Sequence, residues 1–275
     1  MITLLVSGLL VQQLTQSQKD SLAFLDKLAA GDVGAALSTP NAFGSLTRLI
    51  DHERKVDPKV MMKLSSALTR RGADPNKRLE DGGTILHFVA MHSSTSGPAQ
   101  LIRNHNTYWI TKAILSAPTC DPNLLDSNDV QTRDTPLTLY LRWHYERSGA
   151  FLKAMVECPK TNLNKRGGVQ QQFPIHTAAF LGRLDWVKLL VEHGANIYIR
   201  KENGQTALHA AAMQDTKGNA DVIRYLLMKG VNKSLKSKGA LGVFQITASD
   251  ANAETPLEIA KRKGFKQIIA ALSEK

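Results

Sequence analysis

A short motif recurs five times along this chain, and its recurrence constrains the fold more than any other feature of the sequence. The copies read TILHFVA, TPLTLYL, FPIHTAA, TALHAAA and TPLEIAK, and they begin at Thr84, Thr135, Phe173, Thr206 and Thr255. A second signature recurs between them, as GADPN, TCDPN, KTNLN, GANIY and GVNKS. Because 33 residues separate Phe173 from Thr206, the self-similarity has the period of a stack of short repeats.

Each repeat unit is predicted to form a turn, a short helix, a second turn, a second helix and a loop. Thr135 and Thr255 can each cap a helix, because the proline that follows needs no amide donor at the first helical position. Apolar residues at helical spacing follow in stretches such as WVKLLVEH and VIRYLLMK. Gly194 and Gly230 suit the left-handed cap after such a helix. One unit cannot cover its own apolar faces, so it must stack on its neighbours.

This pattern resembles the ankyrin repeat, a unit of about 33 residues with a Thr-Pro-Leu-His-x-Ala core. The resemblance covers about residues 57–275 and is closest in the units that begin near Phe173 and Thr206. It implies an all-α ankyrin-repeat solenoid, while residues 1–41 are predicted to form an N-terminal helical cap. The predicted units of the array 42–275 are 42–79, 80–126, 127–167, 168–200, 201–249 and 250–275.

The repeats are irregular in length. The copies at Thr84 and Thr135 are 51 residues apart, and those at Thr206 and Thr255 are 49 residues apart. These spacings predict insertions near 91–106 and 234–249, and insertions of this kind usually lie on loops. The tip of the unit at 168–200 also departs from the family, because Gln171 stands where ankyrin repeats prefer glycine.

A histidine falls at the same place in three of the units. For His87, His176 and His209, side chains of neighbouring units would lie about 10 Å apart along stacked helices, too far for one zinc ion with ligands at about 2 Å. The resemblance implies that they hydrogen-bond the backbone between adjacent repeats. Thr138 and Glu258 stand at this place in the other two units, where an altered network is expected. We therefore predict no metal, no cofactor and no catalytic residue.

The candidate binding surface follows from the resemblance, since ankyrin repeat proteins bind partners on their concave side. Contacts there come from the tips and from the exposed end of each first helix, where several side chains are apolar or aromatic. Trp, Arg and Met are favoured at interfaces. The predicted partner-binding residues are Met91, His92, Arg142, Trp143, Gln170, Gln172, Phe180, Leu181, Asn203, Met213, Gln214 and Arg262. The alternative is that an insertion or the N-terminal cap covers this stripe, whereas Trp186 is predicted to be core.

Charge and cysteine usage narrow the function further. The formal net charge of +11 favours an acidic partner surface. Charge alone does not specify nucleic acid, and the basic segment KRKGFK lacks interleaved aromatic residues, so nucleic acid is not expected. Cys120 and Cys158 are too few for a disulfide framework, which indicates a reducing, cytoplasmic location. The apolar stretch at the N-terminus is too short to span a membrane.

The sequence therefore favours a non-enzymatic, monomeric adaptor that binds a partner protein. One alternative is a bacterial effector that acts on host proteins in the host cytoplasm. Another is a hydrolase with a Cys/His site built on an insertion, and burial of Cys120 and Cys158 would argue against its cysteine form.

Overall fold

The structure is a computed structural model, and it describes residues 27–28, 30, 32, 34, 42–50, 55–93, 100–127, 133–143, 149–168, 171–237 and 253–274. Most of the predicted N-terminal cap, Gln170, and most of the predicted insertion at 234–249 lie outside these residues. The regular elements among the described residues are helices, and the bridges between extended segments there are the isolated pairs Gly167–Gln172 and Ser237–Glu254. The predicted all-α class is confirmed.

The helices follow one another in pairs. They are α1 (Ala42–Thr47), α2 (Pro58–Arg70), α3 (Ile85–His92), α4 (Gln100–Leu115), α5 (Pro136–Trp143), α6 (Ala150–Val156), α7 (Pro174–Phe180), α8 (Leu184–Glu192), α9 (Ala207–Ala211), α10 (Lys217–Met228), α11 (Pro256–Lys263) and α12 (Lys266–Ser273). Each predicted unit contains one pair, while the unit boundaries themselves stay a prediction.

The pairs stack into two layers. The first helices of successive pairs pack on one another from α3 through α5, α7 and α9 to α11, and the second helices do the same from α2 to α12. We call these the inner and the outer layer. The core lies between them and includes Leu86, Tyr140, Trp186, Leu226 and Ile268, none more than 1% exposed. Trp186 is thus core, as predicted, and burying one such side chain contributes about 1.5–3 kcal/mol.

The predicted helix starts are present. Thr255 accepts a hydrogen bond from the Glu258 amide (3.2 Å), and the Glu258 carboxylate accepts one from the Thr255 amide (2.7 Å). This reciprocal pair is a capping box, and Pro256 takes the position that lacks an amide donor. At α5 the Thr135 hydroxyl accepts from the Thr138 amide at 3.1 Å. The caps explain why inner helices of only five to eight residues start at the motif.

The first insertion differs from its prediction as a loop, because residues 100–106 form the first turns of α4. Asn106 explains the difference. Its side chain is fully buried, accepts a hydrogen bond from the Val56 amide (2.9 Å), and donates one to the Leu49 carbonyl (2.9 Å). His105 also bonds the Val56 carbonyl at 2.9 Å. The extra residues therefore lengthen the outer helix and join it to the preceding pair.

The tip before α7 has an unusual backbone. Gly167 and Gln172 exchange two backbone hydrogen bonds of 3.1 and 3.0 Å, which close the tip. Gln171 within it has φ +45°, in the left-handed region, where the tips before α3 and α9 have Gly82 and Gly204. A side chain in that region costs about 1 kcal/mol or more. Gln171 thus adopts the backbone conformation that glycine adopts in the other tips, and this conformation is strained for a residue with a side chain.

Candidate protein-binding surface

The predicted partner-binding residues recur at equivalent places in the inner layer. They lie at the C-terminal ends of α3, α5, α7 and α11 and just beyond α9. Because these helices pack side by side, their ends form one row, which we call the inner row. Its members among the predicted residues are Met91, His92, Arg142, Trp143, Phe180, Leu181, Met213, Gln214 and Arg262.

The apolar part of the inner row is narrower than the sequence suggested. Trp143 is 53% exposed and Met91 is 38% exposed, whereas Phe180, Leu181 and Met213 are half-buried. Leu181 packs against the core, and the next pair of helices bonds the end of α7. The Asn219 side-chain amide at the start of α10 donates to the carbonyls of Ala179 and Phe180, both at 3.0 Å.

The two arginines of the inner row are each held by an acid eight residues earlier. Arg142 forms an ion pair with Asp134, which is fully buried. Arg262 makes two bonds to the Glu254 carboxylate, at 2.6 and 2.9 Å. In both units the acid immediately precedes the motif, so the pair ties the tip to the end of the inner helix. The sequence carried a signal for this brace, an acid and an arginine at the same spacing in two units.

The brace at Asp134 also positions the exposed tryptophan. The Arg142 guanidinium lies 5.1 Å from the centre of the Trp143 ring, within the range of a cation–π interaction. Burial raises the pKa of Asp134, and the Arg142 charge opposes that shift. Trp143 therefore stands on a helix end with its neighbour fixed by a buried carboxylate. An anchor held in this way loses little side-chain entropy on binding.

The described tip residues of the predicted set are half-buried. The Gln172 backbone bonds Gly167, and the Asn203 side chain accepts from the Gln205 amide at 3.2 Å. Their backbone and side-chain groups thus stabilise the tips.

The three equivalent histidines join neighbouring repeats, as predicted. The ring Nε2 of His87, His176 and His209 lies 3.0, 3.1 and 3.2 Å from a backbone carbonyl of the next unit, that of Asp134, Gln205 and Glu254 respectively. Among the described residues, no group of three or more His, Cys, Asp or Glu is placed to hold a metal ion.

The opposite ring nitrogen fixes the tautomer. His87 Nδ1 accepts from the Thr84 amide (3.0 Å) and His209 Nδ1 from the Thr206 amide (3.1 Å), so Nε2 carries the proton and donates it to the carbonyl. Three residues before His176 the chain has Phe173, where the other two units have threonine. His176 Nδ1 has no hydrogen-bond partner among the residues described. Burial lowers the pKa of all three, to about 4 for His176 and His209. They are neutral at pH 7.

The two units without this histidine keep the hydrogen bond from the amide of the motif threonine. Thr138 Oγ1 accepts from the Thr135 amide at 2.8 Å, and the Glu258 carboxylate accepts from the Thr255 amide at 2.7 Å. Thr138 Oγ1 donates to the Thr135 carbonyl of its own unit at 3.2 Å, and the Glu258 carboxylate has no proton to donate to a carbonyl. The expected alteration is thus confined to the link between repeats.

The cysteines lack the properties of a nucleophile. Cys120 is 4% exposed and Cys158 is 9% exposed, and both are free thiols. Burial raises the pKa of Cys120 to about 12, so its thiol stays protonated at neutral pH, and the thiolate is the reactive form. This geometry argues against the cysteine form of the hydrolase alternative.

Comparison with known proteins agrees with the helix pairs and the histidine links. A family model described as ankyrin repeats in three copies matches residues 143–237. The Notch-regulated ankyrin repeat-containing protein of Xenopus tropicalis is 33% identical over 107 residues, which cover 37% of this chain and 90% of that protein. The chain belongs to the ankyrin repeat family.

Two further similarities place this ankyrin repeat protein among its relatives. Protein phosphatase 1 regulatory subunit 27 of Mus musculus is 42% identical over 59 residues, 22% of this chain and 36% of that protein. This chain thus matches only about a third of that relative's length. The crystal structure of the ankyrin repeat protein EF0377 superimposes with a TM-score of 0.58 at 22% identity, covering 84% of this chain and 97% of the other. That likeness shows the fold.

Ankyrin repeats indicate a protein–protein interaction module, so the predicted class of function is confirmed at that level. In the part of the chain that the structure describes, no helix is both long and apolar enough to cross a membrane.

Proposed function

We propose that this ankyrin repeat protein is a non-enzymatic, monomeric cytoplasmic adaptor that binds a protein partner along its inner row. The observation that carries the proposal is Trp143, a large aromatic side chain 53% exposed beside an arginine that a buried carboxylate holds in place. Trp and Arg dominate the binding energy of protein interfaces when they lie near the centre. Helix α5 is the second of the five motif helices, so Trp143 has neighbours on both sides.

The neighbouring side chains extend this surface. Met91 and Met213 supply adaptable apolar area on either side, and Phe180 and Leu181 supply half-buried contacts between them. The braced Arg142 and Arg262 are each paired with an acid, and their guanidinium groups add N–H donors that suit carboxylates on the partner. With a net charge of +11, the protein attracts an acidic partner over a distance as well. We assign His92, Gln172, Asn203 and Gln214 to the polar rim of the proposed surface, while the predicted Gln170 lies outside the described residues.

A photo-crosslinking experiment tests the assignment. A photoreactive phenylalanine analogue replaces Trp143 in one variant and Met228 in a control variant, and both are expressed in the organism that encodes the chain. Met228 lies in the outer layer on α10 and is 73% exposed. We expect position 143 to give a discrete adduct, identified by mass spectrometry, that position 228 does not give.

The adduct partner is then purified and its affinity is measured by calorimetry. Trp143→Ala should weaken binding by about 30-fold or more, since a central anchor contributes about 2 kcal/mol or more. Met228→Ala should leave the affinity unchanged. Equal adducts at both positions, or an affinity that survives Trp143→Ala, would show that the inner row is not the binding surface.

A further inference from the structure

A second surface lies in the outer layer, on helices that carry only positive charge. Helices α2, α4 and α6 contain no aspartate or glutamate. Farther along the same layer, α8 contains Asp185 and Glu192, and α10 contains Asp221. The basic residues of the three helices are Lys59, Lys63, Arg70, Arg103, Lys112 and Lys153.

Helices α2 and α4 border an open groove of about 1000 Å³. Its apolar lining consists of Val56, Pro58, Met62 and Trp109. Met62 is 36% exposed, and Trp109 is half-buried against the core. The groove therefore offers an aromatic and aliphatic floor to a side chain that enters from solvent.

Lysines surround this floor. Lys55, Lys59 and Lys63 line the groove together with His105, and all three lysines are exposed. The carboxylate in the same lining is Asp57, and it caps α2 by accepting from the Lys59 amide at 2.8 Å and from the Val60 amide at 3.4 Å. Asp57 is exposed, but its carboxylate is bonded to the helix N-terminus and the three lysines outnumber it, so the lining keeps a net positive charge.

The basic surface continues from the groove across α4 to α6. Trp109 meets the Tyr108 ring edge-on at 5.0 Å, and the Lys153 ammonium lies 5.5 Å from that ring. The nearby Glu157 accepts from the Tyr108 hydroxyl (2.5 Å) and from Lys112 (3.2 Å). Burial, with the bond to Glu157, raises the pKa of Tyr108 to about 12, so the phenol keeps its proton and Glu157 stays engaged.

We propose that the groove between α2 and α4 binds an acidic peptide segment of a partner protein, with one apolar anchor residue on the Met62–Trp109 floor and its carboxylates on the surrounding lysines. Charge complementarity selects the partner, because three lysines face solvent with their adjacent carboxylate already committed. The concave shape favours a peptide side chain over the flat surface of a membrane. The groove lies in the outer layer, so it is separate from the inner row and does not depend on the function proposed for that row.

Fluorescence anisotropy with labelled peptides tests the proposal on the full chain. The probe is a short peptide of Glu and Asp with a central Leu-Phe pair. Two matched peptides replace either the Leu-Phe pair with serines or the acids with their amides. We expect binding of the probe that weakens with added salt, and a loss of about tenfold or more in affinity from either replacement, since each removes one half of the recognition.

Charge-reversal variants place the binding site. Lys59→Glu with Lys63→Glu should weaken binding of the probe by about tenfold or more. The matched control, Lys217→Glu with Lys266→Glu, makes the same change in net charge at exposed positions of α10 and α12, and should change the affinity less than about twofold. All four side chains are exposed, and circular dichroism confirms that both variants fold.

The opposite outcomes are distinct. Failure of the acidic probe to bind, equal losses in the two double variants, or indifference to the Leu-Phe pair would each overturn the proposal. Vesicles of phosphatidylserine and phosphatidylcholine serve as a further probe. If they bind through Lys59 and Lys63 while the peptide does not, the surface recognises lipid and the peptide proposal is wrong.

Discussion

Acidification from pH 7 to pH 5 should destabilise this protein through two buried histidines. His176 and His209 have a pKa of about 4 in the folded protein, mainly because burial penalises the imidazolium, while an unfolded histidine has its ordinary pKa of about 6.5. Between these values the unfolded chain binds protons that the folded chain does not. The folded protein therefore keeps its full stability above about pH 6.5, where both histidines are neutral in either state. It loses stability as the pH falls from 6.5 toward 4.

The magnitude follows from the size of the shift. Each pH unit below 6.5 costs about 1.4 kcal/mol per histidine, so at pH 5 each contributes a loss of about 2 kcal/mol and the two together about 4 kcal/mol. His87, whose pKa is also lowered by burial, acts in the same direction. Burial raises the pKa of Asp134, which acts in the opposite direction. The test therefore compares variants, because the difference isolates one histidine.

Urea unfolding at pH 7, 6 and 5, followed by circular dichroism, measures the effect. His209→Thr copies the residue that the chain itself has at Thr138, so the bond to the Thr206 amide can persist. This variant should be less stable than the wild type at pH 7, and its loss between pH 7 and pH 5 should be smaller by about 2 kcal/mol. The control is His193→Gln, at an exposed position after α8, which should keep the wild-type dependence. A His209→Thr variant with the full wild-type loss would refute the reasoning.

Three further predictions concern the tip, the brace and the thiol. Gln171→Gly should raise the free energy of unfolding by about 0.5–1 kcal/mol, because φ is +45° there, and a lower urea midpoint would contradict this. Asp134→Asn should lower the free energy of unfolding by about 2 kcal/mol or more, since it leaves a half-buried guanidinium unpaired. Glu254→Gln, at the more exposed pair, should lower it by at most about 1 kcal/mol. Equal losses of stability on thermal unfolding would contradict this difference. Iodoacetamide should alkylate Cys120 only as fast as the protein unfolds, because its pKa is about 12, and rapid labelling without urea would show an accessible thiolate.

The motif predicted the inner layer well because its residues act locally. The threonine, the proline and the residue three positions after the threonine form the cap within one turn, so their spacing alone defines the helix start. The histidine links between repeats were predictable for a related reason, since the same position meets the same carbonyl whenever two regular units stack.

Features that depend on contacts between irregular segments could not be read in this way. Leu181 is half-buried because it packs against the core, and Asn219 at the start of α10, outside the motif, bonds the end of α7. Helix α4 extends into the predicted insertion because Asn106 finds backbone partners at Val56 and Leu49, about fifty residues earlier in the chain. Neither partner belongs to a repeat signature, so no pattern in the sequence pointed to them.

The same distinction explains why the two proposed surfaces differ in character. The inner row repeats one position along the stack, and its residues vary because the caps and histidine links beneath them already hold the helices. In the part of the chain that the structure describes, the groove between α2 and α4 lies at one junction, where the lengthened α4 meets the first described pair. Because Asn106 anchors that junction from the buried side, the exposed lysines on its outer side are not needed to hold the helices together. Their exposed cations and apolar floor are therefore open to recognition of a partner.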